Sequence, residues 1–186
     1  MQSNNAILTR EQAQAIVEKA IKRSKADAID VQVNTYTAGN IRFADNQVST
    51  AGSTTDGQLG IQSFFGARHA VVTTNDFSDD SIARAVAESE RLARLAPEDP
   101  ENMPQLAAQQ YAPVNAWFDS TANLSAEDRA KAALSALDIA RKAGDLKAAG
   151  YLVTTAGALA IGNSTGMFAY HRSTNANYTL TVRTCL

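Results

Sequence analysis

Apolar residues recur at helical spacing in three separate stretches of the chain. Each stretch gathers its apolar residues on one stripe, which is typical of a helix that buries one face. The first and third stretches follow capping boxes, in which a Ser or Thr side chain and the residue three positions later cap the helix reciprocally. The capping boxes pair Thr9 with Gln12 and Ser125 with Asp128, and the capping candidates of the second helix are Ser78, Asp79 and Asp80. Helices are therefore predicted at about residues 10–25, 78–96 and 125–143, with Pro97 and Gly144 ending the last two.

Alternation of apolar and polar residues at period two occupies the segments between the helices. Such alternation predicts half-buried strands, and Gly, Asn and Asp dipeptides predict the turns that join them. Predicted turns fall at Gly39-Asn40, Asp45-Asn46, Gly66-Ala67, Ala156-Gly157 and 163–166. Strands are predicted at residues 29–36, 41–43, 58–65, 68–74, 146–155, 158–162, 167–172 and 178–184.

The resulting order is α-ββββ-α-loop-α-ββββ. Helices between runs of strands favour an α+β fold, with a largely antiparallel sheet packed against three main helices. Residues 1–186 are expected to form one domain. Residues 97–123 hold all four prolines and predict an irregular strap across the surface, pinned by Tyr111, Trp117 and Phe118.

Composition excludes several classes of protein. The chain has 17 Lys and Arg against 19 Asp and Glu, a formal charge of −2, so a basic nucleic-acid footprint is absent. A single cysteine, Cys185, excludes a disulfide framework. The first ten residues lack the features of a signal peptide, and no apolar run is long enough to span a bilayer. We therefore expect a cytoplasmic protein with no membrane or nucleic-acid partner.

Candidate chemistry is sparse. The two histidines, His69 and His171, lie on separate predicted strands without a His-Glu-x-x-His element, which favours ordinary strand histidines over zinc ligands. Cys185 with His171 lacks the spacing and the third group of a nucleophilic dyad, so a small buried cysteine is favoured.

Other motifs have ordinary structural interpretations. The segment 157–164 imitates a phosphate-binding loop, but Asn163 stands where the lysine belongs, so a hairpin is favoured. The acidic run 97–101 is typical of a solvated turn. Arg42 and Asp45 beside Phe43 either grip a peptide or occupy an exposed strand face, which is the favoured alternative. Sequons at Asn123, Asn163 and Asn177 are attributed to chance. No catalytic, cofactor-binding or metal-binding residue is therefore assigned.

The order of several segments resembles the TldD/PmbA (TldE) family, whose members are described as modulators of gyrase or zinc metallopeptidases. The segments, none of which is specific alone, are Ala28-Ile-Asp-Val-Gln-Val33, Ile41-Arg-Phe-Ala-Asp-Asn46, Asp56-Gly-Gln-Leu-Gly60, Arg68-His-Ala, Thr74-Asn75-Asp76, the helix 85–94, the run 97–101 and Ala160-Ile-Gly-Asn-Ser-Thr-Gly166.

The resemblance implies an N-terminal domain of a longer peptidase that acts on peptides or small unfolded proteins. It implies a role in enclosing a substrate channel and in forming a homodimer or a heterodimer with a family paralogue. The resemblance implies zinc in the C-terminal half of TldD-branch relatives. None is expected in this chain, which lacks the His-Glu-x-x-x-His motif. The TldE branch, in which that motif can be absent, remains an alternative for the parent protein.

A free-standing peptide-binding or interaction module, complete at Leu186, is the alternative from another functional class. The alternating pattern of Tyr178, Leu180 and Val182 is still running where the sequence stops, which favours a chain cut before its next element. A stop codon after Leu186 would favour the module instead.

Overall fold

The computed structural model of the chain describes residues 7–144 and 146–184. These residues form four helices and five strands. In chain order they are α1 (Arg10–Arg23), β1 (Ala28–Ala44), β2 (Gln47–Phe65), β3 (Arg68–Thr74), α2 (Asp79–Leu95), α3 (Asp119–Ala122), α4 (Ala126–Lys142), β4 (Leu146–Asn163) and β5 (Phe168–Thr184).

The five strands form one antiparallel sheet in the order β3-β2-β1-β4-β5. The α+β fold and the antiparallel sheet are thus confirmed. The helix count is four, because the single turn α3 adds to the three main helices. In the β2–β3 hairpin, Phe65 pairs with Arg68 and Leu59 with Thr74.

The eight predicted strands are too many, since several of them join into longer strands. Gly39-Asn40 and Ala156-Gly157 are not turns but lie inside β1 and β4. Residues 47–57 belong to β2 although they show no apolar alternation. Neighbouring strands supply the main-chain hydrogen bonds along these lengths, and that pairing outweighs the weak local preference for a turn. The real turn between β1 and β2 is Asp45-Asn46, both with positive φ.

The helix boundaries match the predictions closely. Both capping boxes form, since Thr9 accepts from the Gln12 amide and Ser125 from the Asp128 amide. Ser78 caps α2, and Gly144, which has a φ of +134°, follows the end of α4. None of the helices in the described residues has the length and apolar character that crossing a bilayer requires.

Contacts divide the chain into two compact units. In the described residues, unit 1 comprises residues 7–35, 56–114 and 158–172. Its core lies between α1, α2 and one sheet face, to which alternate residues of β1 and β2 contribute. The fully buried members include Val17, Val31, Leu59, Ile61 and Ile82.

Unit 2 comprises residues 36–55, 115–144, 146–157 and 173–184. Its core forms where α4 packs on strands β1 and β4. Leu137 and Ala133 from the helix meet Ile41 and Phe43 from β1. The Phe43 ring also stacks on Tyr178 of β5, with ring centroids 5.9 Å apart.

Candidate functional site

The face of the unit 1 sheet that points away from α1 and α2 forms the floor of a cleft of about 550 Å³. Because side chains alternate across a strand, the residues between the buried ones project to this face. Asp30 and Gln32 come from β1, Gln58 and Gln62 from β2, and Val71 from β3. Gly60 of β2 has no side chain, so the floor of the cleft is recessed at this position.

The strap forms one wall of the cleft through Met103, Pro104, Gln105 and Leu106. Of the predicted irregular range 97–123, residues 97–118 carry no helix or strand, whereas Asp119–Ala122 form the single turn α3. Two of the three aromatic residues proposed to hold the strap, Tyr111 and Phe118, are more than half exposed. The third, Trp117, is half-buried, and its Nε1 donates to Asp119 Oδ1 at 2.8 Å.

Hydrogen bonds hold the part of the strap beside the cleft. The Gln105 amide donates to Asp30 Oδ1 at 2.9 Å and accepts from Ser164 Oγ at 2.9 Å.

Asn163 anchors both the strap and the turn between β4 and β5. Its side chain is only 3% exposed. Asn163 Nδ2 donates to the Leu106 carbonyl at 2.8 Å, and Asn163 Oδ1 accepts from the amides of Thr165 and Met167. Thr165 Oγ1 donates to the same Leu106 carbonyl at 2.7 Å. All polar atoms of this amide are therefore used structurally.

Asp30 is the one carboxylate in the cleft lining. Burial raises the pKa of Asp30 above its ordinary value, and the hydrogen bond from Gln105 opposes that rise. No ion pair to Asp30 exists within residues 7–144 and 146–184. The cleft thus combines amide side chains, apolar side chains and one carboxylate that has no cationic partner among those residues.

The two histidines lie on opposite edge strands. His69 is on β3 and His171 on β5, and four strand spacings of about 4.8 Å separate those strands, roughly 19 Å in all. His69 Nε2 is 3.9 Å from Asp99 Oδ2, and its ring lies against Phe64. Within the described part of the chain, no group of three His, Cys, Asp or Glu side chains could hold a metal ion. These residues therefore do not fit a zinc site.

The remaining candidate motifs occupy structural positions. In the acidic run, Glu98 lies near Arg68 at 3.5 Å, and the Asp99 amide donates to the Ala67 carbonyl. The run therefore packs as a turn beside the β2–β3 hairpin. Asp45, at the β1–β2 turn, pairs with Lys147 at 3.4 Å.

Arg42 is exposed, whereas Phe43 lies in the core of unit 2. Residues 163–166 form the turn of the β4–β5 hairpin, as expected for this imitation of a phosphate-binding loop. The burial of Asn163 excludes its sequon from glycan attachment in the folded chain. Cys185 lies outside the described residues.

The sequence patterns do not mark Asp30, Gln105 or Asn163 as site residues. Asp30 has no local signature, because it is one polar position in an alternating strand. Its partner Gln105 is 75 residues away along the chain, and Asn163 is 57 residues from Leu106. Pairings at such separations leave no spacing pattern in a single sequence.

Comparison with known proteins gives a match to one family model. Residues 29–93 match the model described as PmbA/TldA metallopeptidase domain 1. This part of the chain is similar to a first domain of PmbA/TldD proteins. This match covers nearly all of β1, the whole of β2 and β3, and most of α2. The three strands provide the floor of the cleft. Among curated proteins, none matches the chain by sequence.

Solved structures share the fold of this chain. TldE from Thermococcus kodakarensis superposes with a TM-score of 0.80 at 11% identity, over 91% of this chain and 42% of that one. A candidate modulator of a DNA gyrase from Thermotoga maritima MSB8 gives 0.76 at 9% identity, over 91% and 42%. A similar protein from Bacteroides thetaiotaomicron VPI-5482 gives 0.73 at 16% identity, over 94% and 41%. The chain thus spans about two fifths of the length of these structures.

Proposed function

We propose that this domain binds extended peptide segments for a PmbA/TldD-type peptidase, with the unit 1 cleft as the binding surface. The observation that carries the proposal is the cleft itself. Its volume lies within the range of ligand sites, which is about 300–1,000 Å³. Its floor and wall carry the amide groups of Gln32, Gln58, Gln62 and Gln105.

Amide side chains suit a peptide ligand, because each one both donates and accepts hydrogen bonds, as a peptide main chain does. Val71, Met103, Leu106 and Met167 add apolar surface between these amides for side chains of any sequence. The half-buried Asp30 carboxylate favours a peptide that brings a positive group, either a basic side chain or its amino terminus.

In this proposal, the described residues bind the substrate and do not hydrolyse it. In the longer family proteins, we propose that zinc bound by other residues supplies the hydrolytic chemistry, and that a second subunit, identical or paralogous, helps to enclose the substrate. A cytoplasmic location, with small unfolded proteins as substrates, belongs to the same proposal. The description of the family model as a metallopeptidase domain supports it.

The test measures binding of a fluorescently labelled, unstructured peptide to the 186-residue chain by anisotropy. Gln62→Ala removes one amide from the floor and is expected to weaken binding about 5- to 10-fold, the cost of one hydrogen bond. Gln47→Ala, on the same strand but outside the cleft lining, serves as the matched control and leaves binding unchanged. Equal effects of the two variants, or no binding by the wild-type chain, would refute the assignment of the cleft.

Zinc-dependent turnover by this chain alone would contradict the division of roles. The assay incubates the chain with added zinc and an unfolded peptide, and we expect no cleavage above a heat-denatured control.

A second candidate function is peptide binding by strand addition, as in a free-standing interaction module. The observation that favours it is the place of β5 at the edge of the sheet, with most of its residues exposed. Hydrogen exchange separates the two modes. A peptide in the cleft slows exchange near residues 58–62 and 103–106, whereas an added strand slows exchange of the outward amides of β5.

A further inference from the structure

Arg129, the fourth residue of α4, is a buried cation in unit 2. The residue is 7% exposed. Its Nη1 donates to the Leu124 carbonyl at 2.7 Å and to Thr154 Oγ1 at 3.3 Å, both of them uncharged acceptors. Its Nε is buried and has no hydrogen-bond partner. The guanidinium is therefore only partly satisfied.

No carboxylate pairs with Arg129 in the part of the chain that the structure describes. The adjacent Asp128 is exposed, and its carboxylate accepts from the amide and the hydroxyl of Ser125 in the capping box. The hydrogen bonds from Ser125 lower the pKa of Asp128 most, and the charges of Lys131 and, to a smaller extent, Arg129 lower it further. A buried charge without a counter-charge in contact is unfavourable, because it loses hydration and gains little Coulomb attraction in return. An anion beside the guanidinium would remove that cost.

The guanidinium borders a cavity of about 120 Å³, which is large enough for a small anion. Five hydroxyl-bearing residues line the cavity, and a hydroxyl can donate a hydrogen bond to an anion. They are Thr37, Ser53, Thr121, Thr154 and Thr155. The Thr37 hydroxyl also lies 3.2 Å from that of Thr55. Gly39 completes the wall, and a Cβ at this position would overlap the guanidinium. The bare main chain of β1 therefore lets Arg129 lie flat against the strand.

The first turn of α4 adds a weaker positive electrostatic potential to that of the Arg129 charge. Arg129 lies in the opening turns of this 17-residue helix, where the aligned peptide dipoles produce a positive potential. A cation is unfavourable at this end of a helix, and the two exposed acidic residues of the first turn, Glu127 and Asp128, offset only part of that effect.

We propose that this cavity binds a small oxyanion, with Arg129 as its charged partner and the surrounding hydroxyls as further donors. The cavity has the volume of about four water molecules at 30 Å³ each, which accommodates a phosphate or a carboxylate group and excludes a folded peptide. The site is independent of the unit 1 cleft, and every residue that forms it belongs to unit 2.

The test follows thermal unfolding of the 186-residue chain in inorganic phosphate, in sodium acetate and in sodium chloride at matched ionic strength. We expect phosphate, acetate or both to raise Tm relative to chloride, by roughly 3–5 °C at ten times Kd. Phosphate also stabilises folded chains by exclusion from their surface, so only the part of the rise that is lost in Arg129→Met is assigned to the site. Such a part in phosphate alone identifies a phosphate site, and one in acetate identifies a carboxylate site. Equal Tm values in all three salts overturn the proposal.

Two variants locate the response. Arg129→Met keeps the length of the side chain and removes the charge, so the part of the anion response that belongs to the site disappears while the chain stays folded in chloride. Lys131→Gln removes one charge from an exposed position of the same helix and retains the response. A response that is undiminished in Arg129→Met overturns the proposal.

The Nε–H resonance of Arg129 gives a readout that does not depend on the folding of any variant. In the wild-type chain, saturable movement of this resonance on titration with phosphate or acetate supports the site. A resonance that moves no more than those of exposed arginines such as Arg91 overturns it.

Discussion

The hydroxyl oxygens of Ser63 on β2 and Ser89 on α2 lie 2.7 Å apart inside the core of unit 1, and neither side chain is exposed. Ser89 Oγ also donates to the Val86 carbonyl at 2.9 Å. A hydroxyl has one hydrogen, and Ser89 donates its hydrogen to the Val86 carbonyl. Ser63 is therefore the donor in the hydrogen bond to Ser89. The two serines are thus unequal partners.

This inequality predicts different costs for the two alanine variants. Ser63→Ala removes one hydrogen bond and leaves Ser89 satisfied by Val86, so we expect about 1 kcal/mol of destabilisation. Ser89→Ala leaves the Ser63 hydroxyl buried without an acceptor, and we expect about 1–3 kcal/mol. Urea unfolding of both variants and of the double variant measures these values.

The double variant is the decisive comparison. It removes the orphaned hydroxyl, so it should be no less stable than Ser89→Ala alone. Independent losses that simply add would show that the donor assignment is wrong.

Asn163→Asp is expected to loosen the strap. The substitution keeps the oxygen that accepts from Thr165 and Met167, but it replaces the donor to Leu106 with an oxygen that repels the Leu106 carbonyl. We expect about 2–3 kcal/mol of destabilisation together with faster proteolytic cleavage near residues 103–106. Limited proteolysis with mass spectrometry reports the cleavage site. Cleavage elsewhere, at an unchanged rate in the strap, would argue against this anchor.

Glu90 of α2 is expected to contribute more to stability than its neighbour Glu88. Glu90 Oε1 accepts from Ser24 Oγ at 3.0 Å and from the Lys25 amide at 2.5 Å, just beyond the end of α1. Glu90→Ala leaves that amide unsatisfied in a half-buried place, so we expect a loss of about 2 kcal/mol in chemical unfolding. Glu88→Ala, which breaks an exposed pair with Arg91 on the same helix, is the control and should change stability little.

Asp30 is expected to make stability depend on pH in the direction opposite to a paired carboxylate. Burial raises its pKa in the folded chain above the ordinary value of 3.8, so the folded state holds the proton more tightly than the unfolded state. Stability from this group is therefore full below pH 3.8 and is lost as the pH rises through the folded pKa.

Asp30→Asn should accordingly stabilise the chain at pH 7, by less than about 1 kcal/mol because water still screens this half-buried group. The gain should vanish near pH 3, where Asp30 is neutral in both states. Urea unfolding at the two pH values measures it, with Asp80→Asn at an exposed position as the control. A variant that is less stable than the wild type at pH 7 would mean that the carboxylate has a favourable partner.

Local signals gave the three main helices correctly, whereas strand lengths and the cleft depended on distant contacts. The capping boxes at Thr9 and Ser125 are complete within four residues, so a single sequence displays them. Gly39 shows the opposite case. It was assigned to a turn, yet it lies inside β1, and the need for a glycine there comes from the Arg129 guanidinium, 90 positions later, which a Cβ would overlap.

The β1–β4 pairing determines when the sheet can be completed during synthesis. Ile29 hydrogen-bonds through its amide and its carbonyl to Ser164, a residue that is made 135 positions later. At about 5–20 residues per second, a ribosome needs roughly 7–27 s to add that length of chain. During this interval the hairpin of β1 and β2 exists, but one edge of β1 has no partner of its own. A nascent chain that stalls before residue 146 therefore exposes the unpaired main-chain groups of β1, which can pair with other chains. A ribosome that pauses in the segment encoding the strap would prolong this exposure of β1.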